Sequence, residues 1–325
     1  MKKFFNNQQP GTLISSVLVI FRQPILLFYI YLCSCNSRID FDNYILKEPK
    51  LVIFGYLTED SIISVNLSKS CPLYDTSYIF IDNAYIELFE NENYAGILNK
   101  LNNGNYDSDI KPKIGNKYGI IVNYNKSQLS AECVIPSKVM IDTAYLLPTK
   151  IYDIQGYKLS QFIFTMTDNE NEKNFYMLKV KFSIFPNNII ESLYYPDTTY
   201  VNAGISSFDY SIIEEMNDNK LSASLFFTDS TFKEKKKEFL INYFLITDQF
   251  TNNSNKYMLH IYLYSLSKDL YFFKKKLFKY YLTKNYSADD LGNPIEPVIL
   301  NTNITNGYGI FGAYTVDSIT LKNNF

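Results

Sequence analysis

Much of this chain alternates between apolar and polar residues. Ile63, Val65 and Leu67 are apolar, and Ser64, Asn66 and Ser68 between and beside them are polar. A period of two puts the first set on one face of a strand and the second on the other, as in an antiparallel strand with one wet side. The pattern recurs at Tyr118, Ile120 and Val122, and again where Tyr176, Leu178, Val180 and Phe182 interleave with Met177, Lys179 and Lys181. Residues 50–56 are nearly all apolar and read as a buried strand. Further strands are expected at Tyr85–Phe89, Leu129–Ile135, Phe162–Asp168, Leu225–Asp229, Phe239–Ile246 and Tyr257–Tyr264. Turn formers separate them, at Asn102-Asn103-Gly104-Asn105, Gly115-Asn116-Lys117 and Pro136. Short strands spaced about ten residues apart, with turns between, predict β-sandwiches.

The period changes once. Leu270, Phe273, Leu277 and Tyr280/Tyr281 lie on one face of a helix expected over Ser265–Leu282. Ser265 or Ser267 is placed to cap it, and Asp269 suits the positive end of the helix dipole. Lys274, Lys275, Lys276 and Lys279 gather towards the other end, as a solvated face or as a contact for anionic head groups. Asn187–Asn219 is polar with scattered aromatics and reads as long loops. Near the C-terminus, Asn306-Gly307 predicts a turn at positive φ, and Gly309 and Gly312 are placed to bulge or to approach a neighbouring backbone.

The N-terminus follows a different pattern. Ile25–Leu32 is apolar but far short of the roughly 20 residues that span a bilayer; it has the length of a signal-peptide core. Lys2 and Lys3 precede it, no acidic residue occurs before Asp40, and Leu32-Cys33-Ser34-Cys35 follows. A second apolar run, Leu13–Phe21, makes the leading region unusually long. The order resembles the bacterial lipoprotein signal, in which the cysteine is acylated at sulfur, the chain is cut before it, and the new amine is acylated. On that resemblance residues 1–34 are a signal peptide, Cys35 is the lipidation site carrying palmitate-type chains, and residues 35–48 are a linker. Several acyl chains, at about 0.8 kcal/mol per buried CH2, hold a protein stably on a membrane.

The remaining length suggests two domains, at about 100–200 residues each. The expected bounds are 49–137 and 138–325, with the helix near 266–282 in the second. Charge is balanced, 31 basic against 33 acidic residues, so there is no electrostatic footprint for nucleic acid. The abundance of aromatics, 29 Tyr and 25 Phe, favours pleated, half-buried surfaces. Beside the expected lipid site only Cys71 and Cys133 remain after cleavage. They read either as a disulfide in an oxidising compartment or as two separate small hydrophobes.

Catalytic constellations are missing. His260 is the sole histidine, which excludes a His-rich zinc site and the usual zinc-protease motif, and no serine-protease-type triad is recognisable. Carboxylate pairs such as Glu214-Glu215 and Asp289-Asp290 would serve a glycosidase only if two groups faced each other about 5–9 Å apart across a cleft. The acidic cluster from Asp168 to Glu172 lacks the glycine and terminal glutamate of a calcium loop. The expectation is therefore no enzyme, no cofactor and no metal.

Several stretches together resemble a known family. They are the strand Pro49–Leu57, the strand Val65–Ser70, the segments Gly104-Asn105-Tyr106 and Gly115–Val122, the strand Ala131–Pro136, the Pro-rich connector Asn293–Pro297, and Asn303–Tyr314 near the end. In this order they resemble the outer-membrane lipoproteins catalogued as domain of unknown function 4249, over nearly the whole mature chain. The resemblance implies an all-β protein: an N-terminal immunoglobulin-like or transthyretin-like sandwich and a second β-sandwich domain carrying one helix. It also implies a lipid-anchored outer-membrane accessory, or ligand-binding partner, of a TonB-dependent transporter. A structural or adhesive surface protein and a surface hydrolase using carboxylates are the alternatives.

If the lipid anchor is read correctly, Cys35→Ala abolishes acylation and leaves the protein uncleaved or released from membranes. Labelled palmitate incorporated equally by wild type and variant would refute that reading.

Overall fold

The structure is a computed structural model and describes residues 49–71, 79–153, 156–168, 173–184, 200–217, 220–232, 235–244, 257–285 and 298–322. Cys35 and the segment before it lie outside the described residues, as do Asp289, Asp290 and residues 169–172 and 185–199.

The alternating stretches form strands. In the first part of the chain these are β1 (Leu51–Leu57), β2 (Ser64–Lys69), β3 (Ile79–Phe80), β4 (Tyr85–Glu90), β5 (Asn93–Ile97), β6 (Asn99–Lys100), β7 (Asn105–Asp107), β8 (Lys117–Tyr124) and β9 (Ser127–Val134). The second part contributes β10 (Ile141–Tyr152), β11 (Lys158–Thr167), β12 (Phe175–Ile184), β13 (Tyr200–Asn202), β14 (Gly204–Ser206), the short helix α1 (Tyr210–Met216), β15 (Leu225–Thr228), β16 (Lys236–Phe244), β17 (Tyr257–Leu266), helix α2 (Lys268–Asn285) and β18 (Tyr308–Lys322).

One large sheet runs in the order β13-β12-β17-β18-β1-β2-β7-β6, with β15 beside β12 and β3 beside β2. Two four-stranded sheets, β5-β4-β8-β9 and β10-β11-β16-β14, accompany it. The fold is all-β, and each small sheet shares a hydrophobic core with one part of the large sheet. The first core joins Leu51, Ile53, Val65 and Leu67 to Ile86, Leu88, Ile120 and Val122. The second joins Leu178, Val180, Ile261 and Leu263 to Phe162, Phe164, Phe239 and Ile241. The chain passes from one core to the other between Ile135 and Val139, but Ile304, Phe311 and Ala313 return to the first.

That return makes β18 the seam. Its first part pairs parallel with β1, from Val52↔Tyr308 to Leu57↔Ala313. Its second part pairs antiparallel with β17, from Leu266↔Tyr314 to Met258↔Lys322. Residues Ile310–Ala313 are buried on both faces, because a third cluster containing Leu270, Tyr271 and Phe273 of α2 covers Ile310 from outside.

Local differences from the sequence reading have physical causes. Helix α2 starts at Lys268 because Ser265 and Leu266 remain paired with Thr315 and Tyr314 in the sheet. Ser267 ends up at the junction, where its Oγ accepts from the Ala313 amide at 3.0 Å and its carbonyl accepts from Tyr271 at 2.9 Å. The expected loop after Asn187 holds β13, β14 and α1 in its described part; α1 is seven residues long, too short to show a period, and Asp209 caps it by accepting from the Ser211 amide. Strand β1 is buried on one face only: Phe54 and Tyr56 point outward and stay more than a third exposed. Cys71 is exposed and Cys133 buried, and both are free thiols, so they form no disulfide.

At the C-terminal turn it is Asn306, not Gly307, that takes the left-handed conformation, at φ 63°. Gly307 is needed for space, since a Cβ there would lie 2.9 Å from the Leu51 carbonyl oxygen and 2.2 Å from Leu129 Cδ2. Gly309 combines both demands: φ is 104°, and a Cβ would sit 1.9 Å from the Ile53 carbonyl oxygen of the paired strand. Gly309→Ala is therefore expected to cost about 3 kcal/mol or more. Gly115→Ala, also at positive φ but with open space around it, is expected to cost about 1 kcal/mol. Urea titration of the two variants measures the difference; equal midpoints would show that β1 and β18 do not approach as described.

Candidate functional site

Where the two cores meet, the residues leading into β12 and α2 line a cleft of about 450 Å³. Lys117, Glu132 and Cys133 come from β8 and β9, and Asn174, Phe175 and Asp269 come from the other side. Lys117 bridges Glu132 at 2.8 Å and Glu92 at 3.7 Å, which holds its pKa above that of a free lysine. Burial raises the Cys133 pKa far above its ordinary value, so the thiolate that a nucleophile needs is suppressed.

Asn174 links the cleft to a buried polar cluster. Its amide donates to Asp229 Oδ2 at 2.9 Å, and its side chain donates to Asp168 Oδ1 at 3.2 Å and to Asp229 Oδ2 at 3.4 Å. The Tyr176 hydroxyl also donates to Asp168. Both carboxylates are almost fully buried, Asp168 4% and Asp229 2% exposed, and these donors replace the water they have lost. Burial, then the hydrogen bond to Asp168, raises the Tyr176 pKa.

A second cluster ties α1 to α2. Glu215 Oε2 accepts from the Tyr271 hydroxyl at 2.8 Å and from Lys275 Nζ at 2.6 Å, and Oε1 accepts from Thr228 at 3.4 Å. Burial alone would raise the Glu215 pKa; the bonds from Lys275 and Tyr271 outweigh it and hold the carboxyl below its ordinary value. That is opposite to what a general acid requires. Its neighbour Glu214 is exposed, so the Glu214-Glu215 pair does not face one cleft.

His260 is a packed histidine of β17. Its Nε2 lies 3.0 Å from Ser183 Oγ, and its Nδ1 lies 2.9 Å from Thr320 Oγ1, a hydroxyl where a triad would place a carboxylate. Burial, then the charge of Lys181, lowers its pKa. Among the described residues no group of three or more His, Cys, Asp or Glu converges as a metal site. The Asp168–Asn174–Asp229 cluster was not legible in the sequence, because Asp229 lies 55 residues from Asn174 and only the β12–β15 pairing unites them.

The family model described as "Domain of unknown function (DUF4249)" matches residues 37–320. The chain belongs to this family. The match contains both clusters, nearly all of both cores and the β18 seam as far as Thr320, and it begins two residues after Cys35. No curated protein matches the sequence. Among solved structures, the crystal structure of the "Putative membrane anchored protein from Corynebacterium diphtheriae" is similar with 9% identity and a TM-score of 0.20, over 66% of this chain and 54% of that one. The chain thus spans about half the length of that protein, and a likeness this loose transfers neither fold nor function.

The Glu215 cluster makes a test of its own. Because the folded pKa is depressed, its stabilisation is present above the unfolded value of 4.5 and is lost as pH falls through the lower folded value. Glu215→Gln is expected to cost about 1–2 kcal/mol at neutral pH. The gap from wild type should narrow on acidification, as read by urea titration at two pH values. A gap that widened in acid would contradict the assignment.

Proposed function

We propose that this DUF4249 protein is a non-enzymatic lipoprotein of the outer membrane, held by acyl chains on Cys35, that serves as accessory or ligand-binding partner to a TonB-dependent transporter. The observation that carries the reading is the adjacency of the family match to the lipoprotein-like leader: the match runs from residue 37, two residues after the cysteine that follows the leader. The chemistry of the buried groups favours the same reading. Asp168, Asp229 and Glu215 each accept hydrogen bonds from the protein itself, and the Cys133 thiol is held protonated. These groups serve the fold, tying strands and helices together.

The partner contact is expected at the start of α1. Phe208 and Tyr210 are each 67% exposed there, on a segment fixed by the Asp209 cap and by the ion pair between Asp209 and Lys237 at 2.8 Å. Exposed aromatics on a rigid element are the usual anchors of protein interfaces. Affinity purification of the full-length protein from detergent-solubilised outer membranes should recover a transporter barrel. Phe208→Ser combined with Tyr210→Ser should reduce that recovery and leave the melting temperature unchanged. Turnover of a glycan or peptide, abolished by one carboxylate substitution, would replace this reading with a hydrolase.

A further inference from the structure

The fold does not require residue 119 to be glycine. Gly119 lies inside β8, which β4 and β9 flank on either side. Tyr118 and Ile120 point into the core, so position 119 faces outward. Its φ is outside the left-handed region. A Cβ there would make only ordinary contacts, with the Ala131 carbonyl oxygen at 3.7 Å and Phe89 Cβ at 3.9 Å. Other glycines of central strands differ: a Cβ on Gly55, Gly309 or Gly312 would come within 2.7, 1.9 or 2.7 Å of a neighbour. Glycine weakens a strand interior, and it marks a bulge, a bend or a place where something approaches the backbone closely. The pairing of β8 with β4 and β9 is regular at this position, so there is no bulge. The reason left is close approach, and no other described part of the chain lies over the gap.

Gly119 and Ile121 line a groove of about 450 Å³ on the outer face of the sheet. The register sets Phe89 on one side of Gly119 and Glu132 on the other. Two interstrand spacings, about 10 Å, separate those two columns. Tyr94 backs the Phe89 ring edge-on, with centroids 6.0 Å apart. On the far side the segment Asn303–Thr305 extends the sheet past β9, where the Thr305 amide donates to the Ser130 carbonyl at 2.8 Å. Asn303 Nδ2 donates to the Glu132 and Phe311 carbonyls at 3.0 and 2.7 Å, and its Oδ1 accepts from the Phe311 amide at 3.0 Å. This wall is thus fixed by bonds to the backbone before any ligand arrives. At one end Lys117 lies between Glu132 at 2.8 Å and Glu92 at 3.7 Å, and both carboxylates are exposed.

The geometry points to a glycan site: a sugar ring of a neutral glycan seats over Gly119, with its C–H groups against Phe89 and its hydroxyls towards Glu132, Lys117 and the side chains of Ser130 and Thr305. The face of an aromatic ring carries partial negative charge, which attracts polarised C–H groups. Sugar hydroxyls both donate and accept. The groove answers with an acceptor in Glu132, a donor in Lys117, and hydroxyls that do either in Ser130 and Thr305. Charged ligands match it less well. A cation would find the carboxylates already compensated by Lys117, and an anion would face both of them. The site depends on neither the lipid anchor nor a transporter, and its test involves neither.

The test is affinity electrophoresis of the full-length protein, in neutral detergent, through gels that hold amylose, xylan, galactomannan or dextran. Retardation by at least one of these is expected, and short oligosaccharides of the same sugar should relieve it. Gly119→Val fills the groove floor with a residue that favours a strand, so the variant should melt at or above wild type. Its dissociation constant for the retarding polysaccharide should rise at least about tenfold. Phe89→Leu keeps an apolar side chain but removes the ring, and should weaken retardation as well. Retardation in none of the four gels, or equal retardation of wild type and Gly119→Val, would overturn the proposal. A Gly119→Val variant that melts below wild type would show that the fold itself needs the glycine, and would overturn it too. So would retardation by charged heparin or chitosan alone.

Discussion

The pairing of β18 with both β1 and β17 is the constraint on which the rest of the molecule rests. Hydrogen bonds along one fifteen-residue strand join the earliest described strand to a late one, and turn two separate cores into parts of one sheet. Parallel pairing needs a long connection, and here the connection is nearly the whole chain. The first core is incomplete until Phe311 and Ala313 arrive, so its closure waits for the end of the polypeptide. Contacts so distant in sequence close slowly, because the entropy of the intervening loop must be overcome first.

Legibility in the sequence followed this division between local and distant interactions. Alternation at Val65 and Leu67, or at Leu178 and Val180, is a local property and marks β2 and β12 directly. The helical face of Leu270, Phe273 and Leu277 likewise marks α2, though its start was displaced by pairing in the sheet. Partner choice is not local. Nothing in Leu51–Leu57 says that the neighbour is Tyr308–Ala313, and so the outward position of Phe54 and Tyr56 was hidden as well. Gly307 shows the same limit. The Asn-Gly pair correctly signals a turn, yet the glycine is demanded by the Leu51 carbonyl and the Leu129 side chain, which only the folded chain brings near.

The polar groups divide in a similar way. Lys179 and Lys181 could be assigned to a common face from spacing alone, but Lys274 reaches the sheet, over the Tyr56 ring, only because Gly312 leaves room for α2 to lie there. The acidic groups are more self-contained. Asp168, Asp229 and Glu215 find donors on adjacent elements and serve as internal ties between strands and helices. Among the described residues Lys179 and Lys181, on the outer face of the large sheet, have no carboxylate in ion-pair reach, in a chain whose totals nearly cancel.

The parallel contact of β1 with β18 also has a mechanical meaning. The two strands run in the same direction through six paired positions, so the N-terminal end of β1 and the C-terminal end of β18 lie at opposite ends of the contact. Tension applied between those ends slides the strands past each other and strains the hydrogen bonds together. It cannot open them one at a time, as peeling an antiparallel hairpin from its tip would. A chain tethered ahead of Leu51 and gripped by a partner beyond the seam would meet this resistance first, and the fold would act as a shear clamp at the point where the tether enters.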